Sequence, residues 1–195
     1  MDLNSINSSS EDVDLIESFK NGNETAFNYI VMRYQKKVYW VIKRMVLEHD
    51  DTNDITQEVF IKLFKSLKEF RGDSSLFTYI YKIAVNYSLN HLKKNKNLIL
   101  KFKPMDSEES NISSKDKNID EKMIEEEHKL ILLEAINGLP EQQRAVFNLR
   151  FYENLSYEEI SKILGKSVGG MKANYFHAFK KIESVLKSKK DLLLN

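Results

Sequence analysis

The chain has 195 residues, with 6 glycines, 2 prolines and no cysteine, and its 30 basic and 29 acidic side chains leave a formal charge of +1. That length suits one or two small domains. The absence of cysteine excludes a disulfide framework, a thiolate metal site and a cysteine redox switch. No apolar run is long enough to cross a bilayer, and the start, MDLNSINSSSEDVD, is polar and acidic rather than a signal peptide. A cytosolic chain with no direct membrane insertion is therefore expected.

The average charge conceals two opposite blocks. From Lys162 to the C-terminus, eight lysines face Glu183 and Asp191, whereas Asp106 to Glu127 holds nine acids against three lysines. A basic patch of DNA-contacting size and an acidic segment cancel in the total.

Apolar residues recur at helical rather than alternating spacing, which predicts an all-α protein. The expected architecture is two small helical domains joined by a flexible linker, the C-terminal one a helix-turn-helix four-helix domain. Residues 1–10 form a Ser/Asn-rich tail expected to be disordered. Residues 11–96 form a helical block. Within it, Asp12 to Lys20 makes a short helix, and Asn21-Gly22-Asn23 makes a turn. Ala26, Phe27, Ile30, Val31, Tyr34, Val38, Val41, Ile42 and Met45 stripe a long second helix. His49 to Asn53 is a polar break. Ile55, Val59, Phe60, Leu63, Phe64 and Leu67 stripe a third helix; Phe70 to Ser75 is a loop; a fourth helix runs from about Leu76 to Lys94. Residues 97–124 lose all period and gain Pro104, serines and mixed charge, as a linker does. The last block, 125–190, begins with a helix from about Ile124 to Leu139, then Pro140 at a first helical position and a helix to Tyr152.

The block ends on LSYEEISKILGKSVGGMKANYFHAFKKI, Leu155 to Ile182. Ser156 and Glu159 form a capping box. Gly165 stops the helix striped by Ile160, Ile163 and Leu164. Ser167 caps the next one, whose inner arc is Val168, Met171, Tyr175, Ala178, Phe179, Ile182 and Leu186. The outer arc holds Gly169, Ala173, Phe176, His177, Lys180 and Ser184, with Lys172 and Lys181 at its edges. The pair reads either as a DNA-binding helix-turn-helix or as an ordinary helical hairpin with solvated lysines.

Two further surfaces carry chemistry. Asp54, Gln57, Glu58, Ile61, Lys62 and Lys65 lie outside the third helix's stripe, as solvated surface or as a docking face in which the isoleucine fills a groove. Tyr79, Lys82, Asn86, Asn90 and Lys93 share one arc of about 80° on the fourth helix. An aromatic, two amides and two lysines suit stacking, base-edge bonding and phosphate contact. The loop Arg71-Gly72-Asp73-Ser74-Ser75 before them could hold an extruded base; alternatively these aromatics are core and boundary residues, the reading favoured for Phe70, Tyr81 and Tyr87. His49, Asp50, Asp51 and Asp54 lack the spacing of a calcium loop and read as capping acids. His91 reads as a boundary histidine with a local partner. No catalytic set stands out, so neither an enzyme nor a cofactor or metal is expected.

The motifs DITQEVFIK (Asp54 to Lys62) with FRGDSSLFTYIYKIAVNYSLNHLKK (Phe70 to Lys94), and LPEQQRAVFNLRFYENLSYEEISKILGKSVGGMKANYFHAFKKI (Leu139 to Ile182), resemble regions 2 and 4 of bacterial extracytoplasmic-function (ECF) sigma factors. The resemblance covers nearly everything from Asp12 to Leu186. It implies a factor that brings RNA polymerase core to promoter DNA, and an anti-sigma factor, membrane-anchored in many relatives, as a further partner. It also implies that Asp54, Gln57, Glu58, Ile61 and Lys62 dock on the polymerase. Arg71 to Asn86 would recognise and melt the minus-ten element, with Asn86 and Asp73 to Ser75 near bases. The linker would thread toward the active-site cleft. Region 4 would read the minus-thirty-five element, with Arg150, Tyr157, Glu158, Lys172, Ala173, Phe176 and His177 near DNA. Tyr79 stands where many relatives carry tryptophan. Asn174, His177 and Phe179 stand where arginines are usual, with Phe179 expected to pack on the bundle. Fewer guanine contacts and more reliance on phosphates and DNA shape follow. The competing readings are a self-sufficient helix-turn-helix regulator and a pure interaction module.

Overall fold

The computed structural model describes residues 6–101 and 130–193, which among them hold helices and no strand. The first block contains α1 (Asp12–Lys20), α2 (Glu24–Val46), α3 (His49–Leu67) and α4 (Leu76–Lys101). The second contains α5 over residues 130–137, then α6 (Glu141–Phe151), α7 (Tyr157–Leu164) and α8 (Val168–Leu193). The two helical domains expected from the sequence are present.

Each helix begins where local chemistry favours it. Asn23 accepts from the Thr25 amide and caps α2. Asp12 and Asp14 open α1, and Asp50 and Asp51 open α3, where negative charge meets the helix dipole favourably. The polar stretch from His49 is thus the first turn of α3 and not a break. The true break is Leu47, forced to φ 78°, with the Lys43 ammonium donating to its carbonyl. Pro140 caps α6 from outside, and the helix starts at Glu141. α4 continues through Lys101, so residues 97–101 are helical and not linker. The rest of the expected linker, 102–124, lies outside the described residues.

The tail is also corrected in part. Ile6 packs on the core, and the Arg33 guanidinium donates to the carbonyls of Ser8 at 2.9 Å and Ser10 at 2.5 Å. Arg33 is itself oriented by Asp12 at 2.6 Å. Residues 6–10 are held because a charged fork satisfies their backbone; residues 1–5 are outside the described set.

The stripes meet as the periodicity requires. Leu15, Phe19, Ile30, Val38, Ile42, Val59, Leu63, Leu67, Ile80 and Tyr81 are buried in one cluster. That cluster does not end with the first block. Ala145, Val146, Leu149, Leu155, Ile160, Ile163 and Met171 belong to it, because α6 packs on α2 and α7 on α4. A smaller cluster of Ile136, Leu139, Phe147, Ala178 and Ile182 closes the second block.

Polar contacts fix this packing. The end of α2 exposes carbonyls without intrahelical partners. Arg144 of α6 donates to the Met45 carbonyl and Asn148 to the Arg44 carbonyl, each at 3.0 Å. The Arg44 side chain turns to Glu153, 2.7 Å away, with its guanidinium 4.3 Å from the Tyr152 ring centroid. Tyr81 Oη donates to the other Glu153 oxygen at 2.9 Å. Burial, then the Glu153 charge, push the Tyr81 hydroxyl well above its usual range, so it stays a donor.

Leu63 and Ile61 lie on opposite sides of α3, one fully buried and the other 54% exposed. Leu63→Ala should cost about 3 kcal/mol of unfolding free energy, and Ile61→Ala less than about 0.5 kcal/mol. Urea titration of both variants checks this.

Candidate nucleic-acid and polymerase interfaces

The loop before α4 is built from three local constraints. Lys20 of α1 donates to the Phe70 carbonyl at 2.6 Å. Gly72 takes φ 79°, a left-handed turn that side chains disfavour. The Ser75 hydroxyl accepts from the Thr78 amide at 3.1 Å and caps α4. Ser75 is thereby committed to the helix start, and its hydroxyl also meets Thr78 Oγ1 at 2.9 Å. Arg71 and Asp73 are exposed and Ser74 is half-buried.

These residues surround a cavity of about 500 Å³ lined by Phe70, Arg71, Asp73, Ser74, Thr78, Tyr79 and Lys82, among others. Tyr79 leans on Phe70 with ring centroids 4.9 Å apart, so one wall is aromatic and the other polar. Tyr81 and Tyr87 belong to the core and its border. Lys82, Asn86, Asn90 and Lys93 continue outward along α4, all exposed. The stripe expected from the sequence is therefore one solvent face with a cleft at its start.

On α3, Asp54, Gln57, Glu58, Ile61 and Lys62 are all exposed. Ile61 stands 54% exposed among these charged and polar neighbours. His91 meets Asp51 Oδ2 and Asn95 Nδ2, each at 2.9 Å, the local partner the sequence suggested. His49 Nδ1 pairs with the Tyr39 hydroxyl at 2.9 Å. Among the described residues, no His/Asp/Glu group converges as metal ligands would.

In the second block the capping box is complete. The Glu159 amide donates to Ser156 Oγ at 3.2 Å and the Ser156 amide to Glu159 Oε2 at 2.7 Å. The bonds from Ser156 hold the Glu159 carboxyl below its usual pKa. Gly165 ends α7 at φ 64°, ψ 36°. The Gly170 amide donates to Ser167 Oγ at 3.2 Å and starts α8. Lys172, Ala173, Phe176, His177 and Lys180 all face solvent on α8, and Glu158 does so on α7.

Three expected DNA residues meet around one ring. The Arg150 guanidinium lies 5.2 Å and the Lys172 ammonium 5.9 Å from the Tyr157 ring centroid. Arg150 also donates to the Leu155 carbonyl at 2.9 Å, bracing the turn between α6 and α7. Lys180 shares Glu183 with Lys187, which reduces its free charge. Phe179 corrects the sequence reading. It is 52% exposed, with the Tyr175 ring of its own helix 6.5 Å away between centroids.

Sequence reasoning missed two features. Lys162 of α7 lines the cavity beside Tyr79, which follows only from the packing of α7 on α4. Trp40, 47% exposed, joins Leu133 and Ile136 in an apolar groove of about 460 Å³ between α2 and α5–α6. Its position off the α2 stripe was the available signal.

Family comparison matches residues 30–98 to sigma-70 region 2 and residues 129–182 to sigma-70 region 4. The chain is 33% identical over 186 residues to the RNA polymerase sigma-H factor of Pseudomonas aeruginosa, covering 90% of this chain and 94% of that protein. It is 34% identical over 179 residues to the ECF RNA polymerase sigma-E factor of Haemophilus influenzae, covering 87% and 92% respectively. The chain is an ECF sigma factor. The fold agrees with that of the sigma factor RpoE of Bartonella quintana, solved in complex with the anti-sigma factor NepR, at a TM-score of 0.64, 19% identity, and 83% and 96% coverage. Region 2 of this sigma factor thus carries the α3 face and the α4 cleft, and region 4 carries the helix-turn-helix.

Ser156→Ala should destabilise the protein by about 1 kcal/mol. The Glu159 part of the cap is fully present above the ordinary carboxylate range and fades as pH falls through the lowered folded-state pKa. Thermal melts at pH 7 should separate the variant from the parent, and the gap should narrow in acid.

Proposed function

We propose how this sigma factor divides its work among the surfaces described. The chain directs promoter-specific initiation by RNA polymerase, and the minus-ten and minus-thirty-five elements are assigned to regions 2 and 4. The observation that carries the assignment is the cleft between the Phe70–Ser75 loop and α4. It has the volume of a nucleobase with room for solvent, an aromatic wall at Tyr79 and cations at Arg71 and Lys82. A base extruded from the duplex needs those elements: a stacking face, polar groups for its edge, and positive charge for its phosphate. Asn86 and Lys93 extend the track along α4. Asp73 and Ser74 supply edge contacts, and Ser75 acts through the cap it provides.

The α3 face, Asp54, Gln57, Glu58, Ile61 and Lys62, docks on polymerase core, with Ile61 as its apolar anchor. On region 4, Lys172 and Lys180 contact phosphates, while Ala173, Phe176 and His177 face base edges. Glu158 and Tyr157 flank them, and Arg150 holds the turn. With no arginine on this surface of α8, bidentate guanine reading is weak and shape counts for more. An anti-sigma factor, like the one bound to the Bartonella relative, is the natural antagonist. The factor contributes binding energy rather than covalent chemistry and works in the cytoplasm, where polymerase is.

Reconstitution with core polymerase and run-off transcription tests the assignment. Ile61→Ala should lower affinity for core polymerase about tenfold, read by a polymerase titration. Lys172→Ala should weaken promoter binding on every sequence and reduce the salt slope by about 1; a changed base preference alone would contradict the phosphate role.

A further inference from the structure

The charge of α2 is one-sided. From Thr25 to Leu47 the chain holds five basic residues, Arg33, Lys36, Lys37, Lys43 and Arg44, and no acid. At about 100° per residue, Lys36, Lys37, Lys43 and Arg44 lie within about 60° of Trp40 on either side. Trp40 is the chain's single tryptophan and stands 47% exposed, a large aromatic ring open to solvent among cations. The polymerase and promoter surfaces described above leave this face unused.

The groove beside Trp40 gives the face a shape. Trp40 and Lys43 of α2 line it together with Leu133 and Ile136 of α5, Asn148 of α6 and Tyr152 just after it. Its volume of about 460 Å³ falls within the range of small-ligand sites, about 300–1,000 Å³. Tyr39 meets the indole at 83° with ring centroids 5.5 Å apart, and Tyr39 is itself held by His49 at 2.9 Å. The lining also contains an unmet hydrogen-bond acceptor. Asn148 is 3% exposed; its Nδ2 donates to the Arg44 carbonyl at 3.0 Å, and its Oδ1 is buried with no donor. An acceptor left so costs free energy that a ligand N–H would recover.

Three requirements therefore define the occupant: a flat face for Trp40 between aliphatic walls, negative charge for the lysines, and an N–H donor for Asn148. A fatty acid lacks the flat face and the donor, and an acidic aliphatic peptide lacks the flat face. A purine nucleotide meets all three. We propose that the groove between α2 and α5–α6 is a nucleotide site. The purine stacks on Trp40 against Leu133 and Ile136, and its N–H groups reach Asn148 Oδ1. The phosphates lie on Lys36 and Lys43. Lys43 donates to the Leu47 carbonyl and has further N–H donors on the same ammonium for phosphate.

Trp40 is its own reporter in the full chain, excited at the red edge of its band where purines absorb little. ATP or GTP should quench it along a saturating curve and raise the melting temperature, since a ligand bound only by the folded chain stabilises it. Pyrophosphate, which lacks the base, should do neither at the same concentration. Leu133→Glu sets a carboxylate beside the base from an exposed position and should weaken binding about tenfold or more. Lys36→Ala, also on the surface, should weaken it about fivefold and decides the matter should Leu133→Glu fail to fold. A 5′-phosphorylated single-stranded DNA pentamer distinguishes the source of the nucleotide. A Trp40 signal saturating at concentrations about tenfold lower than for ATP identifies a strand, and an equal or weaker one identifies the free nucleotide. Failure of both ATP and GTP to give a saturating curve would overturn the site. So would equal quenching by pyrophosphate, or quenching indifferent to the substitutions.

Discussion

The C-terminal turn of α2 is where the structure is decided. A helix that ends in the interior leaves carbonyls that must find donors, and here the donors come from region 4. Arg144 and Asn148 supply them, and Arg44, one position before Met45, reaches back to Glu153. These bonds cross between halves distant in sequence and fix how α6 meets α2, while the shared apolar cluster supplies the burial that holds α6 on α2 and α7 on α4. Buried polar groups are costly when unpaired, so the same contacts that specify the arrangement also limit its strength.

Function follows from which faces that packing leaves free. The α3 face keeps Ile61 exposed, and α8 keeps its whole outer surface. The α4 stripe is open along its length, but its cleft shares a wall with Lys162.

Much of this was legible in the sequence because local rules acted alone. Ser156, Glu159 and Gly165 carried the helix-turn-helix through capping and a left-handed stop, and the stripes of α2 and α3 marked their buried faces. The errors arose where tertiary context intervened. The cap that Ser75 gives α4 through the Thr78 amide was not read from the sequence. Phe179 lay on the inner flank of α8, but it stands 52% exposed. Residues 6–10 looked disordered by composition and are ordered by Arg33, 23 positions away from Ser10. Lys162 and the partners of Glu153 could not be found without knowing that α7 meets α4.

The central claim is that one chain reads two promoter elements through separate halves while bound to polymerase. Footprinting a promoter with reconstituted polymerase, combined with permanganate probing of thymines, tests it most directly. The account predicts protection at both elements and reactive thymines at minus ten, only when factor and core polymerase are both present. Protection by the factor alone on duplex DNA, with no reactive thymines when polymerase is added, would contradict it.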